Sequence, residues 1–186
     1  MGTSEKSKKI LKTTLENLSV PCLIDADGLN LIAEHRKYMD RIPHDHLIIT
    51  PHMKEMSRLT GISVLELKSR RMEILKEFTE KHHITCVLKD SSTVVASPGE
   101  RAYINRSGNA SMAKAGAGDV LAGIVAGLMA QGMDCQEAGI LGTYLHGRAG
   151  DLARREKGSY SVMAGDLIEY LSEAFKEQEE KNYEQL

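Results

Sequence analysis

The 186-residue sequence predicts an α/β layered fold, with a mostly parallel central sheet flanked by helices. Three observations carry the prediction. Short apolar runs at 21–25 and 46–50 end in polar residues, as strands of a buried parallel sheet do. Amphipathic helical stretches separate them. Finally, a glycine- and alanine-rich segment, 108–132, passes from a loop straight into an apolar helix.

The elements follow in order. Residues 4–18 place Ile10, Leu11 and Leu15 on one side and lysines elsewhere, an amphipathic helix. The run 21–25 is a strand; Asp25 and Asp27 at its end stand where open α/β sheets bind ligands, or Asp27 caps the helix that continues through His35. The next strand is 46–50, and Pro51 suits the first position of the helix after it. On position alone His52 is a surface residue of that first turn, and the triplet His44-Asp45-His46 is a solvated loop. Residues 63–82 form a long helix packed through Leu65, Leu67, Met72, Ile74, Leu75 and Phe78. A strand at 84–88 ends before Lys89, and runs at 93–96 and 101–105 form a hairpin. Residues 120–131 have no polar face, which predicts a helix buried on all sides. Helices at 134–156 and 164–178 complete the chain, before a frayed acidic end.

Composition narrows the function. A net charge of −2 offers no basic field for nucleic acid. No apolar run is long enough to span a membrane, and residues 1–9 lack a signal-peptide core, so a cytoplasmic protein is expected. Cys22, Cys86 and Cys135 are too scattered for a metal motif and read as reduced, buried thiols. The length predicts one domain.

The chemistry concentrates at Gly116-Ala117-Gly118-Asp119. Small residues ahead of a helix let a phosphate approach the unpaired amides and positive end of its first turn. Asp119 sits where an N-cap would, and capping is one reading; a base acting on a hydroxyl beside the bound phosphate is the other. The Gly-x-Gly-Asp spacing, the upstream Gly108-Asn109 and the apolar helix together favour phosphoryl chemistry.

The motifs DADGLN (25–30), TPHMKEM (50–56), LKDSSTVV (88–95), GNASMAKAGAGDVLAG (108–123), LMAQG (128–132) and YLHGRAGDLA (144–153) occur in that order. Together they resemble the ADP-dependent (S)-NAD(P)H-hydrate dehydratases of the ribokinase-like superfamily. GAGD alone is shared by many small-molecule kinases; its combination with TPH and YLHG is more specific and spans nearly the whole chain. The resemblance implies repair of hydrated NADH or NADPH, (S)-NADHX or (S)-NADPHX, with ADP as co-substrate and AMP and phosphate released. It implies Asp119 as the catalytic base, His52, Asn109 and Asp119 as contacts to the hydrated dinucleotide, and Gly116, Ala117 and Gly118 as the phosphate hole. Lys89, Asp90, Ser91, Ser92, Thr93 and Gly118 would touch the adenine nucleotide, and Mg2+ would accompany phosphoryl transfer.

Asp90 stands where the family commonly has glycine, and would repel a nucleotide phosphate unless turned away. Ser111 replaces a usual glycine and Ala117 a frequent serine. Family members also carry an N-terminal segment with the first strands, so the resemblance implies that this chain is a C-terminal portion, with residues 1–4 the tail of an internal glycine loop. Bare sheet and helix surfaces would then favour self-association, and a homo-oligomer is expected. An ATP-dependent kinase of a small hydroxylated vitamin precursor, or an inactive nucleotide-binding module, would use the same residues.

Overall fold

The computed structural model describes residues 2–41 and 46–183. His44 and Asp45 of the histidine triplet, and Met1 of the expected loop tail, lie outside the described residues.

Helix α1 (Glu5–Glu16) starts at its N-cap Ser4, whose hydroxyl accepts from the Ser7 amide, and buries Leu11 and Leu15. Ile10 faces outward. Strand β1 (Cys22–Ile24) leads into α2 (Asp27–Glu34) through Ala26, which takes the left-handed φ of 51°. The N-cap position is therefore Ala26, not Asp27; Asp27 instead accepts from the Gly2 amide at 2.8 Å.

A 3-10 turn at Arg36–Arg41 precedes β2 (Leu47–Ile49) and α3 (Met53–Thr60). The helix begins two residues later than the proline predicts, because the His52 side chain is its cap. Helix α4 (Val64–His82) is kinked at Arg70 and buries Leu67, Ile74, Leu75 and Phe78. Leu65 and Met72 are exposed, against expectation. Each precedes a buried residue by two positions, about 200° around a helix, and so lies on the opposite face.

Strands β3 (Thr85–Leu88), β4 (Val94–Ala96) and β5 (Tyr103–Ile104) complete the sheet. Its order is β1-β2-β3-β4-β5. The first two pairings are parallel and the last two antiparallel, so the hairpin turns a parallel sheet into a mixed one. Alternate strand residues face opposite layers. Ile24, Leu47, Ile49, Cys86 and Leu88 join the core with α1–α4, whereas Ile48, Val87 and Val95 pack on the other side against α5 (Ala117–Ala130) and α6 (Cys135–Lys157). Burial pushes the Cys86 thiol pKa well up; Cys135 is also buried, but Cys22 is only partly so.

The last predicted helix is divided at Tyr170 into α7 (Ala164–Glu169) and α8 (Leu171–Tyr183), and the expected frayed segment is helical as far as Tyr183. Helix α5 departs most from expectation. It buries Leu121, Ile124, Val125, Leu128 and Met129, yet Gly123, Ala126, Gly127 and Ala130 face outward. Among the described residues, a Cβ placed on Gly123 or Gly127 would meet nothing within 4 Å. No helix among the described residues is long and apolar enough to cross a membrane.

Candidate phosphoryl-transfer site

Of the helix N-termini at the C-terminal edge of the parallel strands, those of α3 and α5 are built differently. At α3, His52 Nδ1 accepts from the amides of Lys54 and Glu55, both at 3.1 Å, and the Glu55 carboxylate accepts from the His52 amide at 2.9 Å. Because Nδ1 is an acceptor, the ring proton sits on Nε2, 3.3 Å from Glu55 Oε1. The first turn is thus closed by its own side chains.

At α5 the N-cap is Gly116, with φ at 88° and no side chain to offer. Glycine tolerates this conformation; other residues are strained by it. The helix therefore begins two residues before Asp119, and Ala117 and Gly118 belong to it rather than preceding it. The Ala117 amide reaches the Lys114 carbonyl at 3.4 Å, and Val120 makes the first full-turn bond, to the Gly116 carbonyl at 3.1 Å. The Gly118 and Asp119 amides between them are first-turn donors outside the helical ladder. Asp119, expected at the N-cap, is the third helical residue and exposed. No side chain caps this turn, so capping does not account for its carboxylate. A cavity of about 480 Å³ runs from Asp119 along α5 between Gly123, Gly127, Ile168 and Phe175.

Lys89 joins the two ends. Its amide donates to the Pro51 carbonyl at 2.8 Å, pairing it with His52 across the strand ends. Its Nζ lies 3.5 Å from where a Cβ on Gly118 would stand, and 2.7 Å from Asp25 Oδ1. His146 of α6 donates to the Ala117 carbonyl at 2.9 Å through Nε2. Burial lowers the His146 pKa to about 4; the bond to Ala117 opposes the shift, and the Lys89 charge adds to it.

The rest of the 89–93 segment forms the turn between β3 and β4. Asp90 is directed toward Arg71 of α4, at 3.8 Å, and the same guanidinium donates to the Ser92 carbonyl at 3.3 Å. The carboxylate that interrupts the family pattern thus has a cation of its own. Thr93 Oγ1 donates to the Asp90 carbonyl at 3.3 Å, and Ser91 is exposed.

Asn109 is held by α6 and by its own loop. Its carboxamide nitrogen donates to Gly150 and Asp151 of α6 at 3.1 and 2.8 Å, while its oxygen accepts from the Ser111 amide and hydroxyl. Gly108 donates to the same Asp151, and a Cβ on Gly147 would collide with Ser107. The loop before α5 is therefore fastened to α6 by YLHGRAGD residues. Sequence reasoning missed Asp25, His146 and Asp151 in these roles. The motifs DADGLN and YLHGRAGD were the only signals, and neither specifies a partner.

The layered sheet and the glycine-led helix at its edge define a ribokinase-like α/β protein, a fold shared with solved structures of that class. The family model described as NAD(P)H-hydrate dehydratase matches residues 1–173, and the chain belongs to that family. It is 41% identical over 172 residues to a bifunctional NAD(P)H-hydrate repair enzyme Nnr of Moorella thermoacetica, covering 92% of this chain and 32% of that one. It is 38% identical to an ADP-dependent (S)-NAD(P)H-hydrate dehydratase of Neisseria meningitidis, covering 90% and 57%. A solved Bacillus subtilis ADP/ATP-dependent NAD(P)H-hydrate dehydratase, co-crystallized with ATP/Mg2+, superposes with a TM-score of 0.80 at 28% identity, covering 95% and 61%. The chain thus spans from about a third to about three fifths of the length of these relatives.

Proposed function

We propose that this chain carries the phosphoryl-transfer site of an ADP-dependent (S)-NAD(P)H-hydrate dehydratase. The observation that supports this most strongly is the uncapped first turn of α5, with Lys89 over Gly118 and Asp119 one residue further on. Unpaired amides and an ammonium group converge where a β-phosphoryl group would sit. The names of the relatives supply the substrate class.

In this reading the hydroxyl of the hydrated ring attacks the β-phosphorus of ADP, the bond to AMP breaks, and Asp119 takes the hydroxyl proton. A base in this position contributes about 10²–10⁴-fold. Hydroxide is a poor leaving group, but phosphate is a good one. The ring nitrogen lone pair expels it, and loss of a proton from the neighbouring carbon restores the dihydronicotinamide. The Gly118 and Asp119 amides stabilise the transferred phosphoryl group, with the Ala117 amide turned partly toward Lys114 and Gly116 shaping the turn. The apolar cavity beside Asp119 gives the ring a dry wall.

His52 and the 89–93 turn lie beside this point, suited to the dinucleotide and the adenine nucleotide respectively. Asn109 serves by fastening the loop to α6. Among the described residues no three His, Cys, Asp or Glu side chains cluster to hold a metal. Magnesium would arrive on the nucleotide phosphates and neutralise their charge. A homo-oligomer remains part of the proposal.

Incubation with (S)-NADHX, ADP and magnesium tests the reading. The expected result is regained absorbance of reduced nicotinamide with equal amounts of AMP and phosphate. A stable phosphoester would mark a kinase instead, and nucleotide bound without turnover an inactive module; either overturns the proposal.

A further inference from the structure

The Asp25–Lys89 pair spans β2 to join the ends of β1 and β3, which do not pair with each other. Both side chains are largely enclosed, at 12% and 20% exposure. The placement of the lysine is unusual on electrostatic grounds. Cations are favoured at helix C-termini and disfavoured at N-termini, yet Lys89 Nζ lies against the second helical residue of α5, Gly118. An ammonium group held there works against the field of the helix unless an anion offsets it. Asp25 is the anion that directly contacts it.

One carboxylate oxygen holds one of the three ammonium donors, leaving the others for a ligand. Asp25 itself is held by an unusual backbone. The next residue, Ala26, has φ at 51° and is one of two non-glycine residues with positive φ among the described residues. Such conformations cost about 1–3 kcal/mol and persist where the surroundings impose them. His146 holds the carbonyl of Ala117, immediately before Gly118. The lysine and the first turn of α5 are thus each fixed by a residue from another strand or helix.

From these contacts we propose that Asp25 is a positioning residue of the phosphoryl-transfer site, holding the Lys89 ammonium over the first turn of α5 so that an incoming phosphate meets cation and amides together. This rests on the reading that the turn receives a nucleotide phosphate. It assigns Asp25 no proton transfer and no substrate contact.

The role opposes simple charge arithmetic, which makes it testable. If Asp25 were merely a negative charge near an anion site, Asp25→Asn would strengthen binding. A positioning role requires the reverse. ADP affinity would be measured by calorimetry for the wild-type chain, Asp25→Asn, Lys89→Met and the double variant, with thermal melts to verify folding. Asp25→Asn should weaken ADP binding roughly tenfold, Lys89→Met by at least as much, and the double variant should bind no worse than Lys89→Met alone. Asp25→Glu should recover part of the loss. Unchanged or tighter binding by folded Asp25→Asn, additive losses in the double variant, or no ADP binding by the wild-type chain would overturn the proposal. Dehydration is assayed separately. Coupled losses of ADP affinity without repair of (S)-NADHX would sink the dehydratase assignment and leave the positioning role standing; repair with uncoupled residues would do the opposite.

Discussion

The N-termini of α3 and α5 lie at the same sheet edge and have nearly opposite constructions. At α3 a histidine and a glutamate close the turn on itself, satisfying Lys54, Glu55 and His52 amides internally. At α5 a glycine in the left-handed region leaves the cap without a side chain, and Lys89 comes close to Gly118. A closed turn contributes stability, about 1 kcal/mol per good cap. An open turn gives that up and keeps its donors for an anion. The difference is that α3 spends its first-turn amides on its own side chains, whereas α5 has no side-chain cap.

Breaking the open end should produce the largest effect. Asp119→Asn should reduce kcat for (S)-NADHX repair by about 10²–10⁴-fold. Circular dichroism should remain unchanged, because Asp119 is exposed and makes no cap.

His146 fastens the same end, and its effect is on stability. Its pKa in the fold is about 4, against an ordinary value of 6.5. Between these values the unfolded chain binds a proton that the folded chain does not, so stability falls as pH drops through that window and is unaffected by this group above it. The full difference is about 3 kcal/mol. His146→Gln should flatten this part of the pH–stability curve in urea titrations at pH 7, 6, 5 and 4. A curve as steep as the wild type would remove His146 as the cause.

Gly116→Ala tests the glycine cap. A Cβ there would stand 3.0 Å from the Ala164 Cβ on a backbone with φ at 88°, and a loss of about 1–2 kcal/mol is expected in thermal melts. His52 sharpens the contrast with the smallest change. His52→Ala should cost about 1 kcal/mol through the lost cap, while His52→Ser, which can still cap, should retain most of that stability. A rise in KM common to both variants would then report a contact with the dinucleotide rather than weakened folding.

Much of the fold was legible in the sequence because its signals are local. The strand runs, the hairpin and the helix starts near 4, 63 and 134 all depend on neighbours within a few residues; the structure adds that Ser4, Ser63 and Asp134 cap those helices. The glycine-led helix was legible for the same reason, but its frame was not. Placing Asp119 at the cap assumed that Gly116 and Gly118 belonged to the loop, whereas the left-handed φ of Gly116 starts the helix earlier. The expectation that α5 is buried all round followed from composition, which cannot show that its smallest residues would face outward. The contacts around Lys89 were hidden most completely. Asp25 lies 64 residues from Lys89, and His146 lies 29 from Ala117; only the folded sheet and α6 bring them together.

The first turn of α5 should take the nucleotide phosphates and that of α3 should not. Backbone amide NMR during titration with ADP reads both turns in one sample. Saturable shifts are expected at Gly118 and Asp119, with Lys54 and Glu55 little changed. Shifts centred on Lys54 and Glu55, or saturation by ADP with Gly118 and Asp119 unmoved, would contradict that assignment.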